Sequence, residues 1–227
     1  MRYQYILLDL DHTLLDSNAS EVAAFDETMR SIGVDDPQSL FAPYVEINRA
    51  LWAAVERNEI SPEVVRFARF EQFVVDQNLD ADPHAMAETF AAGLSNNGDL
   101  FPGALALLQR LSAMATLAMV TNGIGVIQRS RIERLGIGEY FAAVSISGEI
   151  GSSKPDSGIF QHAFGALGSP DRDRAIMVGD SLSSDIAGGN AYGVNTCWLN
   201  PTGRTAESVR PTYQIRDLAE LELIVST

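Results

Sequence analysis

From about Ala104 onward the chain alternates helix-length amphipathic stretches with short runs of β-branched and aliphatic residues. Leu105 to Leu111, Val126 to Leu135, Ile159 to Leu167 and Ser183 to Tyr192 read as helices, followed by a closing helix from Asp217. Thr116 to Val120, Ala143 to Ile146, Ala175 to Val178, Val194 to Leu199 and Tyr213 to Ile215 read as strands. Alternation of this kind predicts right-handed crossovers onto a parallel sheet. Tyr5 to Leu10 has the same strand character, yet the next strand candidate begins only at Thr116.

The intervening stretch, 17–97, reads as almost wholly helical. Apolar residues recur at amphipathic spacing: Phe25, Met29 and Ile32; Val45, Leu51, Trp52 and Val55; Val65, Phe67, Phe70, Phe73 and Val74; Met86, Phe90 and Leu94. Gly33, Pro37, Ser61-Pro62 and Asp82-Pro83 punctuate them, with Ser61 and Asp82 placed as N-caps before a proline at the first helical position. Asn96-Asn97-Gly98-Asp99 reads as the hinge back. The expected fold is therefore α/β, a Rossmann-like three-layer core with a parallel sheet (1–16 and 98–227) and an inserted helical cap (17–97).

Acidic side chains outnumber basic ones 30 to 16, a net charge of −14 that argues against nucleic acid or an anionic membrane as partner. A small anionic substrate remains open, because a metal ion, one lysine and oriented amides reverse the field locally. The single cysteine, Cys197, excludes an internal disulfide and a thiolate metal cluster and reads as a buried, inert thiol. With no signal-like or membrane-length apolar run in view, the expectation is a soluble, cytoplasmic protein.

Four polar signatures stand at the ends of apolar runs: Asp9-Leu10-Asp11-His12-Thr13, Thr121-Asn122-Gly123, Lys154-Pro155, and Gly179-Asp180-Ser181 with Asp185. Ligands of a doubly wound sheet sit beyond the carboxyl ends of its strands, so these positions converge on one crevice. Asp9 and Asp11 differ by two, and in extended backbone both side chains point one way while Leu10 points into the core. One carboxylate can attack phosphorus to give an aspartyl-phosphate. Its neighbour can protonate the departing alkoxide and then deprotonate water. The competing reading of Asp11 and Thr13 is a turn cap.

Asp180 and Asp9 together offer hard oxygens that suit Mg²⁺, and Mn²⁺ accepts the same donors. Asp185 reads either as an acid that orients a metal water or Lys154, or as a helix N-terminal acid favoured by the macrodipole. The Thr121 hydroxyl and the amides at Asn122 and Gly123 precede a predicted helix, where phosphate oxygens bind readily. Lys154 carries a mobile point charge able to neutralise nucleophile and phosphate together. Each signature alone is a common turn; in series they describe a phosphoryl-transfer site.

These residues resemble the four motifs of the haloacid dehalogenase superfamily, and the resemblance spans the whole chain, including a cap inserted after the first strand. It implies a Mg²⁺-dependent phosphohydrolase with Asp9 as nucleophile, Asp11 as acid/base, Thr121, Asn122 and Lys154 at the phosphate, and Asp180 on the metal. The main-chain oxygen of Asp11 is implied as a further metal ligand. Dehalogenases proper lack an acid at the position of Asp11, which favours phosphatase chemistry. His12 departs from the usual glycine, where a positive φ is easier to reach, and reads as a turn residue or as a contact to the leaving group.

Asn48-Arg49-Ala50-Leu51-Trp52, Arg69-Phe70-Glu71, Asp185-Ile186-Ala187-Gly188-Gly189 and Thr196-Cys197-Trp198-Leu199-Asn200 look like the bacterial pyrimidine 5′-nucleotidases. This implies a nucleoside monophosphate as substrate, UMP, dUMP or dTMP among them, with Trp52 stacking on the base and Arg69 bonding base or ribose. Trp52 also reads as cap core, and Arg69 as a partner of Glu71 or another acid on the cap. An N-acylneuraminate 9-phosphate, phosphoglycolate or a sugar phosphate as the ester, a phosphomutase, and a non-catalytic binding protein are the alternatives.

Overall fold

The computed structural model describes residues 2–206 and 208–226. Six strands, β1 (Tyr5–Leu8), β2 (Thr116–Thr121), β3 (Phe141–Ile146), β4 (Ala175–Gly179), β5 (Asn195–Leu199) and β6 (Tyr213–Ile215), form one sheet in the order 3-2-1-4-5-6. All neighbours pair in parallel. Each β1 residue lies between a β2 and a β4 partner, as Leu7 does between Ala118 and Met177. The inner strands are buried on both faces and accordingly carry unbroken apolar runs, Tyr-Ile-Leu-Leu and Ala-Ile-Met-Val.

Among the described residues ten α-helices accompany the sheet: α1 (Ser17–Ser31), α2 (Gln38–Glu56), α3 (Pro62–Asp76), α4 (Pro83–Asn96), α5 (Ala104–Met114), α6 (Gly125–Arg134), α7 (Ser147–Ile150), α8 (Ser157–Ala166), α9 (Ala187–Tyr192) and α10 (Leu221–Ser226). One face of the sheet packs Leu8, Met119 and Val178 with Leu107, Leu108 and Leu111 of α5 and Leu221 of α10. The other packs Leu7, Val120 and Met177 with Ile159, Phe160 and Ala163 of α8. These are the three layers expected. Cys197 is a free thiol on the buried face of β5, and burial pushes its pKa up to about 12.

Helices α1 to α4 form the inserted cap, around an aromatic nucleus. Tyr44 of α2 sits 4.8 Å from Phe25, 5.9 Å from Phe70 and 5.4 Å from Phe90, ring centre to ring centre. Ile124 and Ile127, at the start of α6, join that cluster and seat the cap on the core. Both prolines expected at helix starts are there, but the caps differ: Asp82 Oδ1 accepts from His84 N at 2.9 Å, whereas the Ser61 hydroxyl caps nothing. No helix among the described residues is long and apolar enough to cross a membrane.

The differences from expectation lie at element ends. β1 stops at Leu8, because Leu14 N and Leu15 N both turn back to Leu10 O. His12 takes φ +58°, the left-handed conformation its position demands. A 3-10 turn, Gly138–Tyr140, leads into β3 earlier than Ala143. Between Ser183 and Tyr192 the chain first makes a π-helical turn, Leu182–Ile186, with Ile186 N bonded to Ser181 O at 3.1 Å.

Candidate functional site

The strand order reverses at β1, with β2 on one side and β4 on the other, and the crevice of a doubly wound sheet opens at that switch point. A cavity of about 270 Å³ lies there, between the carboxyl edge of the sheet and the cap. Asp9, Asp11, His12, Asn122, Lys154 and Asp180 line it from below. Trp52 and Arg69 line it from the cap.

Lys154 is buried and saturated. Its Nζ donates to Asp9 Oδ1 at 2.6 Å, Asp185 Oδ1 at 2.7 Å and Val120 O at 2.7 Å. Burial alone would lower its pKa; the Asp185 and Asp9 charges overcome that and hold it charged, above the usual lysine value. The other Asp185 oxygen accepts from Ser181 N at 2.9 Å, a contact the wide π turn makes possible. Gly179 is needed here because a Cβ would run into the Asp185 carboxylate. Asn122 holds the lysine from behind: its Oδ1 accepts from Lys154 N at 2.8 Å and its Nδ2 donates to Lys154 O at 2.9 Å.

Asp9 and Asp180 each keep a carboxylate oxygen without a partner among the described residues. Burial, then the charges of Asp185, Asp180 and Asp11, drive the Asp9 pKa well up against the opposing pull of Lys154. Burial and the Asp185 charge push Asp180 up to about 6. Three acids with oxygens within 4.8 Å of one another face a single lysine. A divalent cation fits this set: Asp9 and Asp180 bring free hard oxygens, while both Asp185 oxygens are occupied within the protein.

Asp11 belongs to a different network. Its Oδ1 takes bonds from Ser17 Oγ at 2.5 Å and Arg131 Nη1 at 2.9 Å, and its Oδ2 from Gln128 Nε2 at 2.6 Å. Burial would raise its pKa; the Arg131 charge and the Ser17 hydroxyl outweigh it and hold the carboxyl below its ordinary range. Arg131 also reaches into the cap, with Nε on Leu94 O and Nη2 on the Ser20 hydroxyl, both at 2.9 Å.

Thr121 stands apart from the other motif residues. It is fully buried, its hydroxyl accepts from Gln128 Nε2 at 2.9 Å, and it does not line the cavity. Among the described residues the hydroxyl's own hydrogen is shared only with Asn122 O, at 3.5 Å. Arg69 pairs not with Glu71, whose partner is His84, but with Asn48 Oδ1 at 3.2 Å and the Tyr44 hydroxyl at 3.4 Å. Trp52 is half-buried and borders the cavity. His12 is exposed at the rim.

Ser17, Glu21, Asn48, Glu56, Gln128 and Arg131 also line the cavity and carry none of the four motifs. For Gln128 and Arg131 a signal existed, two polar residues three apart on the side of α6 that meets the cap. Glu21 and Asn48 meet only across helices, which no local spacing reveals.

Residues 6–199 match the family model described as haloacid dehalogenase-like hydrolase. The pyrimidine 5′-nucleotidase YjjG of Escherichia coli is 33% identical over 99% of each chain. The pyrimidine 5′-nucleotidase PynA of Streptococcus pneumoniae is 33% identical over 97% of this chain and 94% of its own. The crystal structure of the HAD-hydrolase YfnB from Bacillus subtilis, bound to magnesium, superposes with a TM-score of 0.91 at 30% identity over the whole of both chains. By the family model and by these full-length likenesses, this chain belongs to the haloacid dehalogenase-like hydrolases.

Proposed function

We propose that this protein is a Mg²⁺-dependent phosphomonoesterase that hydrolyses nucleoside 5′-monophosphates, pyrimidine ones in particular, through an aspartyl-phosphate on Asp9. The observation that carries the chemistry is the buried Asp9 carboxylate, with one oxygen on Lys154 and the other free toward a cavity that Asp11 and Asp180 also line. The likeness to two pyrimidine 5′-nucleotidases over nearly their whole length supports the substrate class.

In this reading Asp9 attacks phosphorus and the bond to the ester oxygen breaks; Asp11, which Arg131 holds ionised in the present arrangement, leaves Arg131 and takes up a proton from water before it delivers that proton to the departing alkoxide. Asp11 then takes a proton from water, which attacks the phospho-Asp9 and returns the carboxylate with release of phosphate. Lys154 neutralises charge on Asp9 and the phosphoryl oxygens, with Asn122 holding its backbone and Asp185 its ammonium group in place. Asp180 and Asp9, with the main-chain oxygen of Asp11, would hold the metal ion, which supplies further positive charge to the phosphoryl oxygens. Residues 17–97 act as the cap that excludes water and selects the leaving group.

Phosphate release with Mg²⁺ across nucleoside monophosphates, sugar phosphates and small phosphorylated acids tests the reading. UMP, dUMP or dTMP should lead the panel. A different ester in front would overturn the substrate and keep the chemistry, and no release from any of them would overturn both.

A further inference from the structure

Arg69 is buried to 3% exposure and makes no ion pair with any described residue. Its Nε is enclosed without an acceptor. Phe90, whose ring centre is 4.8 Å from the guanidinium carbon, offsets part of that cost by cation–π attraction. A buried charge is ordinarily paired, so a guanidinium that borders a cavity with neutral partners is short of an acceptor.

Glu21 is its counterpart. Its Oε1 accepts from Asn48 Nδ2 at 2.7 Å and the Tyr44 hydroxyl at 3.0 Å, and Oε2 has no partner among the described residues. Asn48 bridges the two, donating to Glu21 and accepting from Arg69, which fixes the orientation of its amide. An unpaired cation and an unpaired anion thus stand on either side of one amide, and Arg69, Asn48 and Glu21 all line the cavity that Asp9 lines from below. The complement of this roof is a planar edge with an acceptor next to a donor. Uracil and thymine present C4=O beside N3–H; cytosine presents N3 beside its amino group. A sugar hydroxyl offers no such fixed pair. Purines carry such an edge too, so the choice of a pyrimidine rests on the likeness to the two pyrimidine 5′-nucleotidases.

We propose that Arg69, Asn48 and Glu21 form the subsite that reads the leaving group, taking the acceptor–donor edge of a pyrimidine base, with Trp52 against the face of the ring. The proposal rests on the nucleotidase reading and adds to it the residues that select the base.

The test compares kcat/KM for UMP with that for ribose 5-phosphate, which has the same ester and sugar without the base, in the wild type, Arg69→Met and Glu21→Gln. The wild type should favour UMP by at least tenfold, and Arg69→Met should cut that preference about tenfold or more, because a site built for a polar group loses most when its own polar group goes. The loss should fall mainly on KM for UMP. Glu21→Gln should cut the same ratio by a smaller factor, and as a near-isosteric change it decides the matter if Arg69→Met fails to fold. A wild type that shows no preference for UMP overturns the nucleotidase reading itself. A preference retained in folded variants overturns the subsite and leaves that reading standing. AMP or GMP turned over as well as UMP overturns the restriction to pyrimidines.

Discussion

At the floor of the cavity Lys154 has three acceptors and both oxygens of Asp185 have donors, whereas at the roof Arg69 keeps an enclosed Nε and Glu21 an open Oε2. The floor is assembled from the segments that follow β1, β2, β3 and β4, strands locked in the sheet; the roof is assembled from the facing sides of α1, α2 and α3. The satisfied Lys154 and Asp185 pair holds its charges in one arrangement before any ligand arrives, as electrostatic stabilisation of a transferring group requires, and among the described residues the floor leaves open only the carboxylate oxygens of Asp9 and Asp180. A roof with spare donors and acceptors leaves part of its hydrogen bonding to be completed by what binds. On the proposed function, chemistry and selectivity fall on parts of the chain that differ in how fully they satisfy themselves.

The sharpest break is at the floor. Asp9→Asn keeps the shape and an oxygen for Lys154 but removes the proposed nucleophile, and phosphate release should fall by ~10³-fold or more while circular dichroism stays native. Appreciable residual turnover would sink the assignment of Asp9. Lys154→Met tests stability at the same place. It strands two buried carboxylates, and breaking a buried pair costs about 3–5 kcal/mol. At this chain length that is a fall in melting temperature of roughly 10 °C. Arg69→Met strands no directly paired carboxylate and should cost less than half as much. Equal costs in thermal melts would erase the contrast between floor and roof.

The surplus of acid at the floor gives a third outcome. Asp180, raised to about 6 in the folded chain against an ordinary 3.8, binds more protons folded than unfolded between those values. Its share of stability is therefore present at low pH and lost as pH rises toward 6. Chelator-treated protein should melt higher at pH 5.5 than at pH 7.5. Mg²⁺ at pH 7.5 should recover much of that difference, since a cation answers the same charge the proton does. Asp180→Asn should shrink both effects, and an undiminished Mg²⁺ effect in that variant would remove Asp180 from the metal site. Chelation should also abolish phosphate release.

Most of the floor was legible in the sequence because strands impose a period of two and end in turns. Asp9, Thr121 and Asp180 sit at or just past strand ends, and their convergence follows from the topology alone. Legible does not mean engaged as expected. Asp9 and Asp11, two apart, share the cavity but answer to different cations, Lys154 and Arg131, because the chain leaves the strand at Leu8 and His12 enters the left-handed region. The Thr121 hydroxyl is taken by Gln128, one helix turn beyond the motif. At the roof Arg69, Trp52 and the run that begins at Asn48 stood out only through the resemblance to the nucleotidases, and Glu21 not at all, because helix–helix packing rather than local spacing brings these side chains together.

The smallest expected effect separates the two regions by dynamics. Sequence marks Ser61 and Asp82 alike as N-caps before proline, but only the Asp82 side chain makes the bond, to His84 N. Asp82→Ala should cost about 1 kcal/mol, and Ser61→Ala should change stability by no more than about 0.5 kcal/mol. Helix α4, which Asp82 starts, carries Phe90 under the Arg69 guanidinium and Leu94, whose carbonyl receives Arg131. Loss of the cap should therefore speed amide exchange in the first turns of α4 and leave β1 and β4 protected, since local opening draws on the stability of the element that opens. It should also weaken UMP binding more than it slows the chemical step. If β1 exchanged faster along with α4, floor and roof would open as one cooperative unit, and the spare hydrogen bonding at the roof would be a property of the whole fold rather than of the cap.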